Sequence, residues 1–457
     1  MTKHAPWLLP ALFFAMCLVP APPVQAGLEE YVKKVDPTFA WNVVRKETKP
    51  EGTVSHIKLT SQRWHEITWE HQLRIYEPTG IGEGDAVLLF ITGGSTTSKP
   101  SENDDAQGFA LARLCGARCA VLPQVPNQPL LGGKTEDTLI SETFVRFLDT
   151  KDESWPLLFP MVKSAVRAMD AVQAWAKAEG KGAVSRFVVT GGSKRGWTTW
   201  LTGAIDRRVV AIAPMVIDTL NMKAQSKHAL ESWGEQSEQI GDYTSRGLTE
   251  KFETPDGQRL WQMVDPYTYR HQLTIPKLLI NGTNDRYWTL DALNIYWDDL
   301  EGPKSVVYVP NAGHGLEQNH SYALNGIGAL FRHVTKNRPM PRLTWKHTEG
   351  DDGTFRLDVG SGPKPRSAKL WVARSDTKDF RESHWDSTPM LGVESTFRGE
   401  VPRPTKGYVA LFGDLEFEGE GFPYHLSTQV RISDEPLVAQ DGKTPATKRR
   451  APVPAAR

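Results

Sequence analysis

The order of elements in this sequence predicts an α/β fold: a mostly parallel sheet with helices packed on both faces. Three observations carry that reading. Short, continuous apolar runs at 86–91, 187–190, 209–217, 276–280 and 305–309 have the character of strands buried on both faces. Amphipathic stretches fall between them, most clearly at 161–177, where Val162, Ala165, Val166, Met169, Val172 and Trp175 recur at helical spacing. Several of the runs end at glycine or short polar turns, the place where sheets of this kind carry their sites.

Composition narrows the classes of partner. The 457 residues suffice for two domains with a sizeable core. Lys plus Arg balances Asp plus Glu at 54 each, so charge gives no case for nucleic acid or an anionic membrane surface. Residues 1–26 read as a secretory signal: Lys3 and His4 precede an apolar stretch at 7–19, and Val24-Gln25-Ala26 offers a cleavage site. That stretch is too short for a comfortable membrane span, and prolines at 20, 22 and 23 end it. The mature chain is therefore expected in the periplasm or outside the cell, with no integral membrane segment. Losing the signal removes Cys17 and leaves Cys115 and Cys119, which either close a small disulfide or stay as two buried thiols. With so few cysteines, no clustered histidines, and no phosphate-loop or dinucleotide glycine pattern, neither a metal nor a cofactor is expected.

Taken in order, residues 27–50 read as a helix and linker, with Leu28, Tyr31, Val32 and Val35 stopped by Pro37. Residues 54–60 and 72–76 alternate with period two and read as antiparallel edge strands. The run at 86–91 then enters Thr92-Gly93-Gly94-Ser95, whose amides at Gly94 and Ser95 are candidate oxyanion donors. A helix near 106–115 and a strand at 120–125 follow.

The strand at 187–190 enters Gly191-Gly192-Ser193-Lys194-Arg195-Gly196-Trp197, and a helical apolar pattern begins with Trp197, Trp200, Leu201 and Ala204. A serine held between strand and helix and flanked by glycines has the form of a nucleophile elbow, with the Lys194 amide as the second oxyanion donor. The usual spacing is G-x-S-x-G. Here the second glycine comes one place later, and Arg195 stands where a small residue normally lies. Arg195 and Trp197 are candidate substrate contacts, and the two adjacent cations hint at an anionic group near the site.

Downstream, Asp285 lies in a Gly-Thr-Asn-Asp turn after one strand, and His314 sits between two glycines after the last. Asp218 ends the strand before and is the alternative acid. Ser193, Asp285 and His314 stand in the nucleophile, acid and base order of an α/β-hydrolase. Residues 219–273 form a weakly patterned insertion rich in aromatics, placed where such folds carry a cap. With that insertion, the hydrolase domain covers 27–338. After Pro339-Met340-Pro341, short alternating strands at 343–346, 354–359, 368–373, 408–412 and 426–432 predict an immunoglobulin-like β-sandwich over 339–433, an accessory module suited to a protein partner. Residues 434–457, rich in Pro, Ala and Lys/Arg, are expected to be disordered.

The chemistry implied is acyl transfer on an ester or short peptide. The second reading is a binding or signalling protein on a hydrolase scaffold. The elbow at 190–198, Val-Pro-Asn-Gln-Pro-Leu at 125–130, Asp-Pro-Tyr at 265–267, Trp-Val-Ala-Arg-Ser at 371–375 and Asp-Phe-Arg at 379–381 resemble the PhoPQ-activated pathogenicity-related proteins. That resemblance covers essentially the whole mature chain. It implies an exported α/β-hydrolase-like protein with a C-terminal β-sandwich, linked in some bacteria to envelope stress and resistance to cationic peptides, and related to a secreted eukaryotic proliferation repressor. The elbow alone also resembles that of glucuronoyl esterases, in which the arginine after the serine helps hold the oxyanion. Here Lys194 takes that place and Arg195 follows.

Overall fold

A computed structural model describes residues 27–82, 84–350 and 353–433. The expected signal at 1–26 and tail at 434–457 lie outside the described residues. The chain opens with α1 (Leu28–Lys33) and three antiparallel strands, β1 (Ala40–Lys49), β2 (Gly52–Trp64) and β3 (Ile67–Pro78). The α/β alternation follows: β4 (Ala86–Ile91), α2 (Glu102–Cys115), β5 (Arg118–Leu122), α3 (Glu136–Thr150), α4 (Leu158–Ala178), β6 (Arg186–Gly192), α5 (Lys194–Ile205) and β7 (Val209–Met215). After β7 the chain makes an excursion with α6 (Met222–Trp233), α7 (Gly241–Thr244) and α8 (Pro255–Val264). It returns for β8 (Lys277–Gly282), β9 (Lys304–Val309) and α9 (His320–Thr335).

Strands β5, β4, β6, β7, β8 and β9 lie side by side in that order and are parallel, while β3 joins β5 antiparallel. Continuous apolar runs serve two cores at once. In β4, Val87, Leu89 and Ile91 face the core beneath α4 and α5, whereas Leu88 and Phe90 face the core beneath α2 and α9. This is the α/β-hydrolase fold that the element order predicts.

Two regions differ from expectation. β1 occupies a stretch read as linker, so the edge strand is β1, and β2 lies between β1 and β3. No residue of β1 is fully buried, and the only apolar residues of β1 that pack on the core are Trp41 and Val43, too short an alternation to mark a strand. α3 went unread although Leu139, Ile140, Phe144 and Phe147 are buried at helical spacing.

The C-terminal strands form a sandwich. β10 (Arg342–Glu349), β11 (Thr354–Gly362), β15 (Thr396–Pro402) and β14 (Leu391–Val393) make one sheet; β12 (Ser367–Ser375), β13 (Asp386–Pro389), β16 (Tyr408–Glu418), β17 (Pro423–Ser427) and β18 (Arg431–Ile432) make the other. Phe355, Leu357, Val359 and Val401 of the first sheet pack with Leu370, Leu411 and Leu415 of the second. The second sheet is also continuous with the hydrolase sheet. β17 pairs antiparallel with β9 at Ser427↔Val306, and Ser427 Oγ accepts from the Tyr308 amide at 3.0 Å. The sandwich thus extends the central sheet. No helix among the described residues is long and apolar enough to cross a membrane.

Candidate active site

Ser193 is the single residue joining β6 to α5, at φ 56° and ψ −125°. Such backbone angles cost a non-glycine residue of order 1–3 kcal/mol and persist only where the surroundings impose them. Here the Ser193 amide donates to the Met215 carbonyl at 2.9 Å, which fixes the turn against β7. A Cβ at Gly196 would come within 2.7 Å of Ile217 Cγ2 and 2.8 Å of the Met215 carbonyl. The close approach of α5 to the sheet therefore falls three residues after the serine, which explains the lengthened glycine spacing. It also frees position 195 for a large side chain.

His314 Nε2 lies 2.8 Å from Ser193 Oγ, and His314 Nδ1 lies 2.8 Å from Asp285 Oδ2. With its proton on Nδ1, the neutral imidazole donates to the carboxylate and accepts from the serine hydroxyl. Asp285 is buried and accepts two more bonds, from Trp288 Nε1 to Oδ2 at 3.1 Å and from the Tyr287 amide to Oδ1 at 2.9 Å. The Tyr287 ring lies over the imidazole with centroids 4.1 Å apart. The acid and base turns touch: a Cβ at Gly282 would fall 2.4 Å from the Ala312 carbonyl, so only glycine lets β8 end there.

Asp218, the alternative acid, is elsewhere engaged. Its Oδ1 accepts from the Tyr296 hydroxyl at 2.5 Å and its Oδ2 from Asn281 Nδ2 at 2.9 Å. Burial pushes its carboxyl up to about 7, against the lowering effect of the Tyr296 bond.

The two cations beside the serine are spent on internal partners. Lys194 Nζ lies 2.9 Å from Asp137 Oδ2 and 3.3 Å from Glu136 Oε2. Arg195 makes a bidentate pair with Glu136, both bonds 2.7 Å, and its Nε donates to the Val125 carbonyl at 2.5 Å. Burial alone would raise the Glu136 carboxyl, but the Arg195 bonds and charge outweigh it and hold the group at about 2. The hint of an anionic substrate therefore loses its basis. Arg195 is buried against Gly93, where a Cβ would lie 2.4 Å from its guanidinium. Gln128 adds bonds to Glu136, and its carbonyl accepts from the Thr96 amide at 2.8 Å. The 125–130 loop thus ties the Gly93–Ser95 turn to the base of α5. Within that turn, Gly94 has φ 107°, while the Ser95 amide donates to Ser98 Oγ at 3.2 Å, leaving Gly94 the freer donor.

Trp197 Nε1 donates to the Val264 carbonyl at 2.5 Å, and its ring lines a cavity of about 120 Å³ that opens onto Ser193. Met222, Ala229, Ile240, Tyr243, Phe252 and Trp261 of the excursion after β7 line it from above. The two ends of that excursion are pinned together by Asp265, which accepts from the amides of Met222 (2.8 Å), Tyr267 (2.9 Å) and Asn221 (3.3 Å). Cys115 and Cys119 are free, buried thiols, so the disulfide alternative is not realised.

Sequence reasoning missed Glu136 and Asp137, which open the unread α3, and the aromatic pair Tyr287-Trp288 that begins two residues after Asp285. Acidic residues in the first turn of a helix are a readable signal. Their reach to Lys194 and Arg195 is purely tertiary.

Among solved structures, the chain is similar to acetyl xylan esterase 1 from Thermoanaerobacterium sp. JW/SL YS485 (16% identity, 66% of this chain and 93% of that one, TM-score 0.44). It is also similar to an S-formylglutathione hydrolase from Agrobacterium tumefaciens (12% identity, 64% and 99%, TM-score 0.42). The glucuronoyl esterase from Solibacter usitatus is a further match (13% identity, 64% and 87%, TM-score 0.38). In sequence it is 32% identical over 427 residues to autocrine proliferation repressor protein A of Dictyostelium discoideum, 85% of either chain. The PhoPQ-activated pathogenicity-related protein family matches residues 28–381, and with that extent of agreement the chain belongs to this family.

Proposed function

We propose that the protein is an exported serine hydrolase that transfers an acyl group from an ester or short peptide to water. The observation that carries the reading is the unbroken relay from Ser193 Oγ through His314 to the buried Asp285, with both contacts at 2.8 Å. Ser193 Oγ attacks the acyl carbon while His314 Nε2 takes its proton. His314 then returns that proton to the departing alcohol or amine, and water releases the acid by the same path. Asp285 holds the imidazole tautomer and stabilises the imidazolium. The amides of Lys194 and Gly94 receive the oxyanion, each donor typically worth roughly 100–1000-fold in rate. The excursion over 219–273 serves as the cap. Export rests on residues 1–26, and a role in envelope stress rests on family membership.

Intact mass after fluorophosphonate treatment of the mature protein tests this. A single adduct should form and be absent from Ser193→Ala, and ester turnover should fall by about 10³-fold or more in that variant. A folded protein that takes no adduct would overturn the reading and favour a binding protein on a hydrolase scaffold.

A further inference from the structure

The cavity in front of Ser193 is largely apolar, and its volume of about 120 Å³ is many times the roughly 10–15 Å³ that one water needs. Trp197, Ile217, Met222, Phe252, Trp261 and Trp288 supply much of its wall. The charges on that wall are consumed internally: Lys194 and Asp137 face each other at 2.9 Å, and Asp218 is bonded to Tyr296 and Asn281. A charged substrate would find no free counter-charge there and would have to shed its hydration.

Building on the hydrolase reading, we propose that the substrate is an uncharged ester whose acyl or alcohol part is an apolar group, medium-chain or aromatic, bound under the cap. The step is the one given above: the ester C–O bond breaks, water supplies the second oxygen of the acid, and the alcohol leaves with a proton. The test is a series of p-nitrophenyl acetate, butyrate and octanoate with the mature chain, alongside fluorophosphonate labelling. Each buried methylene is worth about three- to fourfold, so kcat/KM should rise on the order of 100-fold from butyrate to octanoate. Ala229→Trp, which fills the cavity from α6, should reverse the octanoate-to-acetate ratio. Labelling of Ser193 with acetate turned over as well as octanoate would overturn the apolar site and leave the nucleophile standing. A folded protein without label would overturn both.

A separate set of hydrogen bonds concerns the sandwich. The loop between β12 and β13 grips both turns that carry the acid and the base. Asn284, next to Asp285, donates from Nδ2 to the carbonyls of Ser383 (2.7 Å) and Arg381 (3.2 Å). Asn311, three residues before His314, donates to the Trp385 carbonyl at 3.0 Å and accepts from the Trp385 amide at 2.8 Å. Phe380 and Trp385 are buried and anchor the loop. Arg381 continues to the cap, donating to Glu238 at 2.7 Å and lying 4.2 Å over the Trp233 ring.

We infer that this loop is a positioning device for the Asp285–His314 pair, with Asn284 and Asn311 its positioning residues, so that the sandwich is part of the catalytic apparatus. This too rests on the hydrolase reading. In Asn284→Ala and Asn311→Ala, kcat should fall about 10- to 100-fold, as for a small misplacement of reacting groups, with KM within about threefold. The pH profile of kcat/KM should change shape with it, because the carboxylate no longer holds the imidazole in one place against Ser193. A lowered melting temperature with kcat and pH profile unchanged, in whichever variant folds, would reduce the loop to a structural tie and overturn the inference.

Discussion

β7 and β8 are neighbours, and each runs into a buried carboxylate three residues past its last residue: Met215 to Asp218, and Gly282 to Asp285. Position along the sheet barely separates the two acids. Their partners do. Asp285 accepts from a histidine, an indole and a backbone amide, and its histidine reaches the serine. Asp218 accepts from a phenol and a carboxamide, neither of which passes a proton onward. What sets Asp285 apart is a titratable neighbour that also touches Ser193.

The comparison is broken most directly by exchanging each acid for its amide. Asp285→Asn keeps the shape but favours the wrong tautomer of His314, and kcat should fall on the order of 10⁴-fold. Asp218→Asn should hold kcat within about tenfold in the same ester assay. Equal losses would mean that the two carboxylates act as one unit.

A smaller effect separates the acids by stability. Burial raises the Asp218 carboxyl to about 7, above an unfolded value of about 3.9. Between those values the folded state holds more protons than the unfolded state, so this group makes stability fall as pH rises from about 4 to about 7. Asp218→Asn removes that fall. Denaturant unfolding at pH 4 and pH 8 should show the variant gaining on the parent toward pH 8, by at most about 4 kcal/mol. A parallel pH dependence in both proteins would show that Asp218 titrates normally.

The same contrast explains what the sequence could reveal. Strands buried on both faces announce themselves as apolar runs, so β4, β6, β7, β8 and β9, and with them Ser193, Asp285 and His314, were legible. Choosing Asp285 over Asp218 relied on turn residues and chain order, which happen to track the histidine. Features fixed only by tertiary contact were not legible: the Arg195–Glu136 pair, the Lys194–Asp137 pair, and the grip of Asn284 and Asn311 on a loop about a hundred and about seventy residues downstream, respectively. β1 was missed because an edge strand with no fully buried residue carries only a short periodic signal, here Trp41 and Val43. The continuity of the sandwich with the main sheet rests on the single pairing of Ser427 with Val306, which no local pattern encodes.

The finest test concerns the donors that make Asp285 different. Trp288 Nε1 and His314 Nδ1 converge on the same oxygen, Oδ2, while the Tyr287 amide occupies Oδ1. Trp288→Phe keeps an aromatic ring beside His314 and deletes only the indole donor. A hydrogen bond to a charged acceptor of this kind contributes about 1.5–3 kcal/mol at most, and some of that returns if water enters. With Oδ2 less firmly placed, kcat should fall about three- to tenfold at nearly constant KM. That loss is smaller than the roughly 10- to 100-fold expected on loosening Asn311, so a Trp288→Phe loss as large as that of Asn311→Ala would make the indole donor, and not the loop, the main fix on Asp285.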